Sequence, residues 1–294
     1  APGSGDRIRV VGYDTDHSSH AYDDLPDEYL AYPGTSLTVL DGHDPAGVFE
    51  AFIHAPFKED AAAARNETSL SMQVTLTDES GVDGKVLLFG DLAHDTIMKI
   101  FNYSEYYDRE QYLEWDLLLA PHHCSKRVMY KKDLDGTEVL QQDILDAFER
   151  NARPGASIVA SSAVFPAVDV DGHTPPHLMA ADRYAEIADE LICTMSWVDE
   201  AAPSPVVFGV DAYGARVIRG ELLEKSAQEA ALELSMSSVG RRFAAVTAAA
   251  VSLAHALPAT AMASEFSGAD RVQDAIAADR GGQSAPENPI GFGR

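Results

Sequence analysis

The stretch WDLLLAPHHCSKRVMY, Trp115 to Tyr130, carries apolar residues straight into a proline, two adjacent histidines and a small polar loop. A short apolar run that ends in turn residues reads as a buried strand. His122 and His123 then fall at the strand's C-terminal end, where open α/β sheets place their ligands. Two histidines there can bind a metal, act as a base and its orienting partner, or pack. A second run, VLLFGD, puts Asp91 at the open end of another buried strand, just past a glycine. A carboxylate oxygen and an imidazole nitrogen from neighbouring strand ends form half a metal site suited to Zn, Mn or Fe. Cys124 beside the histidines is a candidate soft ligand or reactive thiol. The CxxC spacing of a structural zinc ribbon does not occur.

These residues need a layered scaffold. DRIRVVGYD and TSLTVLDG read as the first two strands. TSLSMQVTLTD alternates Leu70, Met72, Val74 and Leu76 with polar residues, and GVDG turns it into KVLLFGD, which predicts a hairpin. LAHDTIMKIFNYS has helical spacing. GTEVLQQDILDAFERNA reads as an amphipathic helix burying Val139, Ile144, Leu145 and Phe148. ASIVASS is a strand, HLMAADRYAEIADEL a helix, and LICTM, PVVFGVDA and ARVIRGEL are further strands. Cys193, in LICTM, is expected as a small core residue. Strands with interspersed helices predict an α/β domain over residues 1–220, and the early hairpin argues against a purely parallel sheet.

Beyond residue 220 the composition changes. Residues 221–263 are expected as a helical extension whose alanine-rich part, 241–263, packs or binds a partner rather than spanning a membrane. Residues 264–294, rich in Gly, Asp, Ser and Pro, read as a flexible tail. No N-terminal apolar h-region is visible, and the expected location is the cytoplasm. The 294 residues include 46% hydrophobic ones, enough for a sizeable core. A formal net charge of −25 disfavours tight binding of long nucleic acid and of anionic lipid.

The order N-x-x-S-L from Asn66, L-L-F-G-D ending at Asp91, and L-L-x-A-P-H-H-x-S-K through His122 and His123 resembles the metallo-β-lactamase-fold hydrolases. It is most similar to the branch found as the C-terminal domain of the DNA-uptake channel protein ComEC and its stand-alone relatives. ASIVASSA, DGHTPPH and ICT continue the likeness, which covers roughly residues 30 to 215. The resemblance implies an αββα sandwich and up to two divalent ions, zinc foremost. Asp91 would bridge them and His122 or His123 would ligate the second. A metal-bound hydroxide would attack a phosphodiester or another ester in a small or tethered substrate. His173 would reach the same crevice as substrate contact or proton donor, while His94 would stand behind the site or at the surface. Asn66 and Ser69 would fix a turn.

Two departures accompany the likeness. Cys124 stands where the branch usually has glycine, and the family's H-x-H-x-D-H loop is absent. The nearest string, GYDTDHSSH, offers Asp14, Asp16, His17 and His20, of which Asp16 and His17 match the signature's final D-H. Either these residues replace the missing ligands, or the sandwich is truncated in its N-terminal half. A truncated sandwich exposes one sheet face, which a protein partner, a second copy or a rebuilt layer must cover. The alternatives to a hydrolase are a catalytically inactive scaffold that keeps the fold and, less favoured, a thiol hydrolase built on Cys124.

Overall fold

The computed structural model describes residues 9–13, 22–39, 47–57, 68–170, 172–201, 204–212 and 214–219. The chain divides into two compact units, Ala1–Leu223 and Glu224–Arg294. The second unit, with its expected helix and tail, lies outside the described residues, as do Asp14, Asp16, His17, His20 and Asn66.

In chain order the strands are β1 (Val10–Val11), β2 (Leu30–Ala31), β3 (Ser36–Leu37), β4 (Phe49–Ala55), β5 (Ser71–Thr77), β6 (Asp83–Leu88), β7 (Trp115–Leu119), β8 (Tyr130–Lys132), β9 (Glu138–Leu140), β10 (Ala152–Ala160), β11 (Glu190–Cys193), β12 (Phe208–Asp211) and β13 (Gly214–Val217). Among the described residues, three helices of ten residues or more alternate with them: α1 (His94–Tyr106), α2 (Gln142–Asn151) and α3 (Leu178–Ile187). The central sheet has seven strands in the order β11-β10-β7-β6-β5-β4-β3. Its β3-to-β6 side is antiparallel, and its β6-β7-β10-β11 side is parallel. The domain is thus α/β with a mixed sheet. The hairpin of β5 and β6 forms, but its turn falls at Asp78–Gly81, ahead of the expected GVDG, because Asp83 and Gly84 already pair within β6. Asp78 holds the turn, its Oδ1 accepting from Ser80 and Val82.

The parallel strands step across the sheet in one direction. Right-handed crossovers therefore set α1, α2 and α3 on one face. Leu87, Leu118 and Ile158, side by side in register, meet Ile97, Phe101, Ile144, Phe148 and Tyr184 in the core. Phe89, Phe101 and Phe148 pack with centroids 5.7–5.9 Å apart. Each such ring contributes roughly 1.5–3 kcal/mol by leaving water. α1 exists because Ile97, Ile100, Phe101 and Ser104 recur at helical spacing on this buried face. It ends when Asp108 adopts φ 55°, with Asp108 N–H donating to Glu105 O and Arg109 N–H to Ser104 O. That paired closure is a Schellman cap, and it fixes where Arg109 emerges.

The opposite face is less covered. Met72, Val74, Val86, Leu88, Leu117 and Leu119 are half-buried there, and Leu76 is 42% exposed. The β12–β13 hairpin lies over part of it, with Val210 and Ala215 against Gly84, a glycine whose added Cβ would collide with the Val210 side chain. The apolar alternation of β5 therefore faces this side, and its polar residues are the buried ones. Ser71 donates to Leu88 O, Thr75 donates to Gln73 Oε1, and Gln73 Nε2 donates to the carbonyls of Gln111 and Glu114. Loop carbonyls brought over the helical face need donors, and β5 supplies them.

Other expectations shift as well. FEAFIHA, which has no clean period of two, forms the seven-residue strand β4. The first two expected strands shrink to two-residue pairings, Val10–Val11 with Leu30–Ala31 and Ser36–Leu37 with β4. Val139 does not belong to the amphipathic helix. It sits 44% exposed in β9, and α2 begins at Gln142. No helix among the described residues is long and apolar enough to cross a membrane.

Candidate functional site at the ends of β6 and β7

β6 and β7 are parallel neighbours, so the loops that follow them lie side by side. Gly90 and Asp91 follow β6. Gly90 has φ +57°, and an added Cβ would stand 2.8 Å from the Cβ of Ser69, so no larger residue fits this turn. Ser69 Oγ accepts the Asp91 N–H at 3.2 Å, which is the turn-fixing role expected of it. The loop after β7 is tied to the same turn, because His122 N–H donates to Gly90 O at 2.9 Å.

His122, His123 and Cys124 adopt φ values of 49°, 56° and 65°, three consecutive non-glycine residues in the left-handed region. Such a conformation costs roughly 1–2 kcal/mol per residue, and strain of this kind is characteristic of functional loops. Its effect is to aim one imidazole at Asp91. His123 Nδ1 lies 2.8 Å from Ser161 O, and since a carbonyl only accepts, Nδ1 carries the proton. The lone pair of the neutral ring is then on Nε2, which stands 3.5 Å from Asp91 Oδ1. That is too long for a direct hydrogen bond.

Two ligands about 2.1 Å from a tetrahedral ion lie about 3.4 Å apart, so the separation of Nε2 and Oδ1 suits a shared cation. The anchoring of Nδ1 on a backbone carbonyl is also the usual outer support of a metal-ligating histidine. His122 is half-buried and its pKa is pushed down, first by that burial and against the pull of Asp91, so its ring is favoured in the neutral form a metal needs. No group of three or more His, Cys, Asp or Glu side chains able to hold a metal forms among the described residues. The pair Asp91–His123 fits two positions of an ion's shell. The expected first-site ligands Asp16 and His17 lie outside the described residues.

Cys124 departs from its expectation. It is fully buried in the core, and burial pushes its thiol up to about 12, so it is neither an accessible ligand nor a thiolate nucleophile at neutral pH. Its left-handed backbone is the conformation glycine adopts most readily. Cys193 is buried in β11, as expected, with its thiol toward the carbonyls of Ser162 and Ala163.

His173 is exposed, its backbone N–H donating to Val170 O, and its side chain makes no hydrogen bond or ion pair among the described residues. The histidine that DGHTPPH brings to the site's rear is His177. It is buried, its backbone N–H donates to Cys124 O and its Nδ1 accepts from Lys126 N, so it braces the strained loop. Burial lowers its pKa as well. No sequence signal separated His177 from His173. His94 is buried, with Nδ1 on Asp95 and Nε2 on Asp143. At the start of α3, Asp169 accepts from the N–H groups of Leu178 and Met179, which ends the DGHTPPH loop with a carboxylate cap.

Comparison of the chain with protein-family models, with curated proteins and with solved structures finds no match.

Proposed function

We propose that this chain is a metal-dependent hydrolase of the metallo-β-lactamase fold, acting on a phosphodiester or another ester. The observation that carries the reading is the His123–Asp91 pair, an imidazole Nε2 and a carboxylate oxygen 3.5 Å apart at adjacent parallel strand ends, with Nδ1 anchored on Ser161 O. Zinc, or alternatively manganese or iron, when bound, supplies Lewis acidity that polarises the ester and lowers the pKa of water. The chain's own part is positional. Ser69 and Gly90 set the Asp91 backbone, Ser161 fixes the His123 tautomer, and His122 adds a neutral imidazole beside them. The mixed sheet with helices on one face and a half-covered apolar face agrees with part of an αββα sandwich, whose other face a partner or second copy would cover. Strong negative charge favours a small or tethered substrate over long nucleic acid. Two free, buried cysteines agree with a reducing compartment such as the cytoplasm.

Metal titration tests this reading. Wild-type protein is expected to bind zinc or manganese and to cleave a generic phosphodiester, and Asp91→Ala is expected to lose at least about a hundredfold in metal affinity. Wild-type metal binding by Asp91→Ala would sink the site assignment. Failure of the wild type to take up metal after reconstitution would favour the inactive scaffold.

A further inference from the structure

A cavity of about 300 Å³ lies between β4, the loop before β3 and the C-terminal half of α1, and none of the strand-end residues lines it. Its walls are aromatic. Phe57 and Tyr103 meet edge to face at 5.4 Å, and Tyr107 is 56% exposed at the rim. Phe52 is stacked on Tyr112 at 3.8 Å. Lys99 Nζ lies 4.2 Å from the Phe57 ring centre.

Arg109 dominates this cavity. The Schellman cap of α1 delivers it, and its guanidinium sits 5.8 Å from the Phe52 centroid and 5.3 Å from that of Tyr107. Gly34, at φ +83°, leaves room for it, because a Cβ there would stand 2.6 Å from Nη1. The chain has 47 acidic residues against 22 basic ones. Yet among the described residues no oxygen accepts a hydrogen bond from the Arg109 guanidinium. A guanidinium fork held beside two aromatic rings is preorganised for a planar oxyanion.

Two further polar groups line the same space without partners among the described residues: the Ser104 hydroxyl and Nδ1 of His54. His54 is buried and donates through Nε2 to Tyr112 O at 2.9 Å, which leaves Nδ1 as an acceptor. Burial, helped by Arg109, pushes its pKa down to about 4, so it adds no charge at neutral pH. Apolar walls with a few convergent polar groups are the usual make-up of a small-molecule site.

We propose that this cavity binds a small aromatic carboxylate, its oxyanion on Arg109 and Ser104 and its ring between Phe57, Tyr103 and Tyr107. A monoanion matches one guanidinium that has no acceptor among the described residues, whereas a phosphate monoester dianion would bring a second charge against apolar walls.

The test is a ligand titration of the full chain followed by amide NMR. The probes are 1-naphthoate, 1-naphthyl phosphate, the neutral naphthylmethanol and acetate. Naphthoate is expected to give saturable shifts at Tyr103, Tyr107 and Arg109, and acetate and naphthylmethanol to bind at least about tenfold more weakly. Arg109→Gln is expected to weaken naphthoate binding about tenfold or more, and Gly34→Ala, which displaces the guanidinium, to do the same. Asp91→Ala is expected to bind naphthoate like wild type, which separates this site from the strand-end pair. The proposal is overturned if naphthoate shows no saturable shift up to about 10 mM. It is equally overturned if a folded Arg109→Gln binds as wild type, if naphthylmethanol binds as tightly as the acid, or if the phosphate binds about tenfold tighter.

Discussion

His123 and His54 are each anchored through one ring nitrogen to a backbone carbonyl, yet their surroundings invite opposite guests. His123 hangs at the half-open end of the sheet, anchored by Nδ1 to Ser161, with Nε2 toward the carboxylate of Asp91. His54 lies buried inside β4, anchored by Nε2 to Tyr112, in a cavity where the Arg109 guanidinium has no acceptor among the described residues. A lone pair beside a carboxylate attracts a cation. A lone pair beside such a guanidinium leaves the guanidinium looking for an anion. The anchoring carbonyl fixes the tautomer in both places, and the neighbouring charge decides what the ring is for.

Breaking the first region should have the larger effect. His123→Ala is expected to lose nearly all metal affinity and hydrolysis, while His122→Ala loses about 10- to 100-fold, as an outer support would. Metal titration and a phosphodiester assay on the two proteins decide the matter, and equal, mild losses at both positions would return the pair to packing.

The second region should show itself in pH dependence. The folded pKa of His54 is about 4, against 6.5 for a free imidazole, so between those values the unfolded chain binds more protons than the folded one. Stability should therefore be fully present above pH 6.5 and fall as the pH drops toward 4, by up to about 3 kcal/mol. In His54→Gln, whose amide keeps a donor for Tyr112 O, urea midpoints measured across that window should flatten. A slope unchanged from wild type would place the proton uptake elsewhere.

The smallest effect is expected at Cys124. Glycine relieves a left-handed backbone worth about 1 kcal/mol and removes a buried thiol of similar worth. Cys124→Gly should therefore shift the melting temperature by less than about 4 °C. Wild-type Cys124 should resist thiol reagents in the folded state, since its thiol is buried and pushed up to about 12. Rapid labelling of Cys124 in native protein would contradict the burial that distinguishes it from the exposed ring of His123.

Much of the strand-end region was legible because its signals are local. An apolar run ending in Gly-Asp or Pro-His-His marks a buried strand and its loop, and parallel pairing of β6 with β7 then follows from the helix between them. The hairpin itself was legible for the same reason, but its turn falls at Asp78 to Gly81 and not on GVDG, whose Asp83 and Gly84 already pair within β6. β4 was not, because Glu50 and His54 interrupt its apolar pattern and both point to partners distant in sequence, Tyr112 among them. Val139 was misplaced because helical spacing continued by chance through the β9 strand.

The sequence by itself determined the α/β class, the order of most elements from β5 onward, and the placing of Asp91, His122 and His123 at strand ends, since periodicity and turn residues act over a few neighbours. Only the tertiary structure decided which face of β5 is buried, which histidine of DGHTPPH braces the loop, that Cys124 is inert, and that Arg109 lies beside His54 with no acceptor among the described residues. Those outcomes depend on long-range register and on how the carbonyls and charges of distant loops find partners, and no local pattern encodes them.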